Sequence, residues 1–411
     1  MRLTPLAPHP AALREALVRR GVPEAQATSA VEGWRRAAVV LDDVPPVLQE
    51  TLSVAARDVG ASCVSGRGWM VMTGDAAGLA GLARPDRSFL PTEIAAALGA
   101  ALRALVEPPL VWGMARGAIA LDRPVVVGIL NVTPDSFSDG GRFVVPAAAV
   151  AHAETLLAAG ADALDLGAES TRPGRPSPVP ADEEWRRLVP VLRELVRRWP
   201  AVPISVDTVK ATTAERALEE GAWAINDVSG LRHDPAVATV CAARDAGLIV
   251  MHSRGALAEM ATYDHAEYAD VTADVRDELA GALERAAAGG LAADRVVIDP
   301  GLGFAKRPEH NLQVLDRLDA LATLGRPILV GPSRKRFLGT GAGDPAQRDV
   351  ATAAACVVAA ERGAHLFRVH DVATTRAALD IAHAARTGPG VATTRPTAPP
   401  PLPAGRGEAG A

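Results

Sequence analysis

Residues 125–143 read VVVGILNVTPDSFSDGGRF. Val125 to Leu130 forms an unbroken apolar run, the mark of a strand buried on both faces. The run stops at Asn131, and the stretch TPDSFSDGG that follows is built of turn formers with a period of neither 2 nor 3.6. A buried strand, an abrupt polar residue and a long loop together describe the catalytic end of a β/α-barrel strand. From Arg123 onward the pattern recurs, giving eight apolar strand candidates: Pro124–Leu130, Ala163–Leu166, Pro203–Val206, Ala222–Ile225, Gly247–Met251, Arg295–Ile298, Pro327–Val330 and Leu366–Val369. Helix-like segments such as Trp185–Arg198, Thr212–Glu220 and Val271–Ala288 separate most of them. Pro190 should kink the first of these helices or mark where its regular part begins. This alternation predicts an α/β fold, a (β/α)8 TIM barrel. A doubly wound sheet is the alternative, and it would need fewer strands and a visible switch point.

Residues 1–118 do not share the pattern. They read as a small α/β N-terminal domain, with helices over Ala11–Arg20, Pro46–Val59 and Thr92–Val106 and strands over Ala37–Leu41 and Trp69–Met72. Glu107-Pro108-Pro109 and the segment to Leu121 read as a link to a barrel spanning 119–387. No catalytic constellation is visible in this first domain, so a structural or interface role is expected. The tail, 388–411, is rich in Pro, Gly and Ala without an apolar face and reads as disordered.

Composition narrows the class. A net charge of −5 argues against a nucleic-acid binder, which carries a basic face. Cys63, Cys241 and Cys356 lack metal-ligand spacing and are odd in number, which suits free thiols in a reducing cytoplasm. The N-terminal stretch lacks the apolar core of a signal peptide, and the Ala-rich run at Ala351–Ala360 is too short to span a bilayer. Cations are almost all Arg: Lys occurs only at Lys210, Lys306 and Lys335, and Asn only at Asn131, Asn226 and Asn311. Each of these six is therefore more informative than usual.

Every strand candidate hands polar residues to one end of the barrel. In order these are Asn131 with Asp135, Ser136 and Asp139; the run Asp165–Gly174; Asp207; Asn226 and Asp227; His252; Asp299–Lys306; Gly331–Lys335; and Arg368, His370 and Asp371. One or two could be solvated rim residues, but eight sets are not explained that way. Asp207, Asn226 and Asp299 form a ring of acceptors suited to a flat heterocycle bearing several N–H groups. Asp299 could instead be a turn residue before Pro300-Gly301. Arg368, His370 and Asn131 come from strands that adjoin in a closed barrel and suit an anion, a phosphate with Mg²⁺. Taken alone, His370 could equally be a structural histidine. No Ser-His-Asp arrangement, metal-ligand cluster or dinucleotide fingerprint is present.

The stretches ILNVTPDSFSDGG, DLGAESTRPG, ISVDTVK, INDVSG, MHSRG, DPGLGFAKRPEHN, GPSRKRFLG and RVHDVATTR, in this order, resemble the dihydropteroate synthase family over Pro124 to Arg386. The resemblance implies condensation of 6-hydroxymethyl-7,8-dihydropterin diphosphate with 4-aminobenzoate, releasing diphosphate and dihydropteroate for folate synthesis. It implies a pterin site at Asp207, Asn226, Met251, Asp299, Gly331 and Lys335. It places diphosphate, with Mg²⁺, at Asn131, Arg368 and His370. The 4-aminobenzoate site, which sulfonamides also occupy, falls on Thr171, Arg172, Pro173, Phe304, Ser333 and Lys335. Thr133–Gly141, with Asp135, and Glu169–Gly174 match the two loops that close over the reacting centre. A homodimer is the family's usual assembly. Small departures are Ser253 where Met is frequent, Ala305 where Gly is frequent, and Arg175-Pro176 after ESTRPG. Two other readings stay open: a methyltetrahydrofolate:corrinoid methyltransferase, which has no use for a diphosphate site, and a catalytically silent pterin-binding paralogue. Lys335→Arg should abolish most turnover, whereas Lys210, beyond Asp207-Thr208, should accept the same change.

Overall fold

The computed structural model describes residues 18, 23–26, 36–42, 44–82, 92–132, 144–169, 179–339 and 345–387. Most of the helix expected at Ala11–Arg20 and the whole tail from Gly388 lie outside them. The chain divides into two compact units, Met1–Pro108 with Ala322–Gly325, and Pro109–Leu321 with Arg326–Ala411.

In the first unit, strands β1 (Arg36–Asp42), β2 (Ser62–Gly66) and β3 (Trp69–Asp75) form an antiparallel sheet in the order β1-β3-β2. The central strand alternates: Met70 and Met72 are fully buried while Trp69 and Thr73 face out. The helices Pro46–Asp58 and Thr92–Val106 bring Leu52, Ala56, Leu98 and Leu102 into the same core. Strand β2, SCVSG, has no apolar period and escapes sequence reading. The Arg67-Gly68 turn makes it pair, with Gly68 at φ 80° where a side chain would be strained.

The second unit opens with a hairpin, β4 (Val111–Met114) and β5 (Gly117–Ala120). Eight parallel strands follow: β6 (Val125–Asn131), β7 (Ala163–Gly167), β8 (Ile204–Asp207), β9 (Ala224–Asp227), β10 (Gly247–Met251), β11 (Val296–Asp299), β12 (Leu329–Val330) and β13 (Leu366–Val369). Their order is β11-β10-β9-β8-β7-β6-β13-β12, and a parallel bridge between Ile298 and Ile328 joins the two edges. The expected barrel is therefore present. The helix around Pro190 is continuous from Ala181 to Arg198 with the proline inside it, so Pro190 does not mark its start.

Alternation along the strands explains where chemistry can sit. Val125, Val127, Ala163, Ala224, Ile249, Val297, Leu329 and Leu366 fill one layer with apolar side chains. Two residues onward, on the same face of each strand, the chain places Asp165, Asn226, Asp299 and Arg368 instead. The apolar layer is sealed by the hairpin: Trp112 and Met114 pack into it, and Trp112 Nε1 donates to Arg295 O at 3.0 Å. A Cβ on Gly247 would come within 3.0 Å of both side chains, so glycine makes room for them. Residues 109–121, expected as a link, are thus part of the barrel unit, which begins at Pro109 rather than after 118.

Candidate active site

Strand register sets Asn131, Gly167, Asp207 and Asn226 in one row across β6, β7, β8 and β9. A Cβ on Gly167 would lie 3.4 Å from both Asn131 Oδ1 and Asp207 Cβ, so the glycine keeps the space between those polar groups open. Above the row is a cavity of about 470 Å³, whose walls include Asn131, Asp207, Gly331, Ser333, Lys335, Arg368 and His370. Seven expected site residues from four strand ends therefore meet in one place.

Arg368 binds two of the acids. Its Nε donates to Asp165 Oδ2 at 2.6 Å and its NH2 group to Asp207 Oδ2 at 3.1 Å. Asp165, fully buried, also accepts from Ser205 Oγ at 2.5 Å and from Asn226 Nδ2 at 3.1 Å. Asn226 thus spends one of its two amide N–H donors on Asp165. Burial, then the Asp165 charge, pushes the Asp207 carboxyl up, and Arg368 pulls it back. Burial opposes the charge on Arg368, but Asp165 and Asp207 outweigh it and hold the guanidinium protonated. Sequence reading puts Asp207 and Arg368 in separate subsites; the structure joins them by an ion pair.

Asp299 serves partly as the turn residue that sequence reading left open, since its Oδ1 accepts from Gly301 N at 2.7 Å. Burial raises its carboxyl to about 6 against the pull of that N–H and of Arg368, Lys306 and Lys335. Asp227 is spent entirely on a turn, accepting from Ser229 and Leu231 N–H groups and from Ser229 Oγ. Ser333 Oγ accepts from His370 N at 3.1 Å and stands 2.9 Å from His370 Nδ1.

Met251 and Phe304 pack together in an apolar cluster with Val209, Val228 and Met260. Lys335 Nζ stands 3.8 Å from the centroid of the Phe304 ring. Gly303, at φ 84°, makes this approach possible, because a Cβ there would come 2.8 Å from Lys335 Cδ. Ala305, which replaces a frequent glycine, sits at φ 45°, a conformation that favours glycine. Asp135, Thr171, Arg172 and Pro173 lie outside the described residues.

Sequence reasoning missed two supports. Asp165 was assigned no role, although an acid inside the apolar run ALDLG was a visible signal. The loop carrying Phe304 is held by Lys306 and Asn311, two of the six scarce residues. Lys306 Nζ lies 2.8 Å from His252 Nδ1 and donates to Gly301 O and Phe304 O, each at 3.2 Å. Asn311 accepts from Gly303 N at 2.6 Å and donates to Lys306 O at 3.0 Å and Arg307 O at 2.8 Å. Burial lowers Lys306 to about 7 and His252 to about 3. His252, expected at the site, therefore stays neutral behind it, its Nε2 3.1 Å from Glu278 Oε2.

The family model of pterin binding enzymes matches residues 127–370. The chain belongs to the pterin-binding enzyme family, among its dihydropteroate synthases. The dihydropteroate synthase of Mycobacterium leprae is 44% identical over 263 residues, covering 62% of this chain and 91% of that protein. The solved dihydropteroate synthase of Xanthomonas albilineans with 4-aminobenzoic acid has 45% identity and a TM-score of 0.61, covering 66% of this chain and 96% of that one. The same enzyme in complex with 7,8-dihydropteroate gives 43% identity and 0.59, covering 66% and 97%. These matches span the synthase barrel. The share of this chain left uncovered is accounted for largely by the first unit and the tail.

Proposed function

We propose that the cavity at the strand ends is where this dihydropteroate synthase joins its substrates, 6-hydroxymethyl-7,8-dihydropterin diphosphate and 4-aminobenzoate. Asp207, Asn226, Met251, Asp299, Gly331 and Lys335 hold the pterin. Asn131, Arg368 and His370 receive the diphosphate. Thr171, Arg172, Pro173, Phe304 and Ser333 hold the amine, and Asp135 belongs to the loop beside them. The observation that carries this assignment is the Arg368 guanidinium, bonded to Asp165 and Asp207 in a cavity that Asn131 and His370 also line. One cation thereby couples a ring-reading acid to an anion site.

The aromatic amine is neutral at pH 7 and attacks without a general base. The new bond joins its nitrogen to the pterin methylene, the C–O bond to diphosphate breaks, and the amine proton leaves to solvent. Arg368 and His370 stabilise the leaving negative charge, while the acids around the ring stabilise positive charge at the methylene. Mg²⁺ fits this site as a guest of the substrate. Asn131 offers one amide oxygen, and the described residues contain no group of three His, Cys, Asp or Glu that could cage an ion. When bound, the ion would neutralise diphosphate charge.

A homodimer in the cytoplasm completes the reading. Val350 and Val358 on the helix Pro345–Glu361 and Ile381 on its neighbour Val372–Thr387 are exposed apolar side chains on adjacent helices, as a self-association face requires. No described helix is long and apolar enough to cross a membrane.

Asp207→Asn tests the pterin assignment. It swaps an acceptor for a donor that faces the ring's N–H groups, which costs roughly 1–3 kcal/mol. Calorimetric titration with the pterin diphosphate should show this loss of affinity; wild-type affinity would remove Asp207 from the site.

A further inference from the structure

The loop between β11 and the helix Pro308–Asp316 turns back on itself, with Gly301, Gly303 and Ala305 at φ 65°, 84° and 45°. It closes around the side chain of Lys306, which is 1% exposed. Lys306 Nζ has three partners: Gly301 O and Phe304 O, each at 3.2 Å, and His252 Nδ1 at 2.8 Å. These are two carbonyls and an imidazole rather than a carboxylate. Burying a lysine on such partners costs stability, so a packing role alone accounts for it poorly. The same loop residues face the site. Gly301, which accepts from Lys306, donates its N–H to Asp299 Oδ1 at 2.7 Å. Phe304, which also accepts from Lys306, presents its ring to the Lys335 ammonium. A second tie comes from the segment after β10. Ala305 N donates to Met260 O at 2.8 Å, and Ala305 O accepts from Tyr268 Oη at 2.9 Å. Asp299 is the last residue of β11 and is in register with Met251, so the sheet places it. Phe304 has no sheet to place it and depends on these ties.

We propose that Lys306, with Tyr268 as a second tie, is a positioning residue for the aromatic amine: it holds the Phe304 ring in a fixed place relative to Asp299 and so sets where the amine stands against the pterin. A wall formed in advance loses little binding energy to ordering and keeps the amine nitrogen close to the methylene it attacks. The inference rests on the reading that Phe304 meets the amine and Asp299 the pterin.

Full-length Lys306→Met, Phe304→Ala and the double variant test it. Three quantities are compared with wild type: kcat/KM for 4-aminobenzoate at saturating pterin diphosphate, calorimetric affinity for the pterin diphosphate alone, and thermal unfolding. Lys306→Met should lower the amine kcat/KM at least about tenfold and leave pterin diphosphate affinity within about threefold. The double variant should fall within about twofold of Phe304→Ala, because Lys306 has nothing left to act through once the ring is gone. An amine kcat/KM unchanged in Lys306→Met would overturn the proposal, and so would additive losses in the double variant. A matching loss of pterin diphosphate affinity with a lowered unfolding temperature would also overturn it, as general damage. Wild-type kcat/KM in Phe304→Ala would overturn it by another route and locate the error in the assignment of Phe304 to the amine. If Lys306→Met does not fold, Tyr268→Phe, which removes one hydroxyl, takes its place in the cycle. A fall of about threefold, absent once Phe304 is alanine, is then expected, and wild-type kcat/KM would overturn the proposal.

Discussion

The ammonium of Lys335 stands 3.8 Å above the ring of Phe304, and the space for its stem is the missing side chain of Gly303. The slot is narrow, since even one added methyl on Gly303 would come 2.8 Å from the lysine's Cδ. A planar guanidinium fork does not fit where a slim stem and a point charge do. Lys335→Arg should therefore reduce kcat/KM by more than about tenfold, or about 1.4 kcal/mol, while thermal unfolding stays near wild type. Near-normal turnover would make the segment Gly331–Lys335 a charged rim and remove β12 from the site.

Truncation should distinguish the two units. Removing residues 1–108 takes away no proposed site residue and leaves the β4–β5 hairpin in place, so the barrel should remain folded and turn over. Extending the deletion through Leu121 removes Trp112 and Met114 from the foot of the lumen. Losing one large buried side chain alone costs about 3–5 kcal/mol. Urea unfolding should show the longer truncation much less stable than the shorter. Equal stability would mean that the hairpin contributes nothing to the barrel.

Acid should weaken the protein through His252. Burial and Lys306 lower its pKa from the usual 6.5 to about 3. Between these values the unfolded chain binds a proton that the native state does not, so this contribution to stability is present above pH 6.5 and lost as pH falls towards 3. Asp299 acts in the opposite sense: its raised value, about 6, makes the native state bind the proton first, which adds stability as pH falls through 6. His252→Gln removes the first effect and keeps the second. Urea unfolding from pH 7 to 4.5 should show the variant losing less stability than wild type. Parallel curves would mean that His252 titrates in the native state as it does in the unfolded chain.

The barrel was legible because strands buried on both faces read as continuous apolar runs, and all eight stand out between Val125 and Val369. The site was legible because polar residues end those runs abruptly, as Asn131 and Asp207 do. What sequence could not give was partnership. Asp165 is one acid in an apolar run until Arg368, 203 residues later, closes onto it. Lys306, Asn311 and Lys210 were marked by scarcity alone, since their roles depend on contacts between different loops. The hairpin at 111–120 was missed for another reason: its strands are four residues each, too short to show a period, and they pack at a barrel end that sequence pattern does not reveal.

The central claim is that one cavity breaks the bond to diphosphate and joins the pterin methylene to an arylamine. Purified full-length protein with Mg²⁺ and 6-hydroxymethyl-7,8-dihydropterin diphosphate should be assayed for diphosphate and for dihydropteroate, with and without 4-aminobenzoate. Dihydropteroate should form in step with diphosphate, one for one, and only when the amine is present. Tight binding of the pterin diphosphate with no dihydropteroate formed on adding the amine would contradict the account and leave a catalytically silent pterin binder.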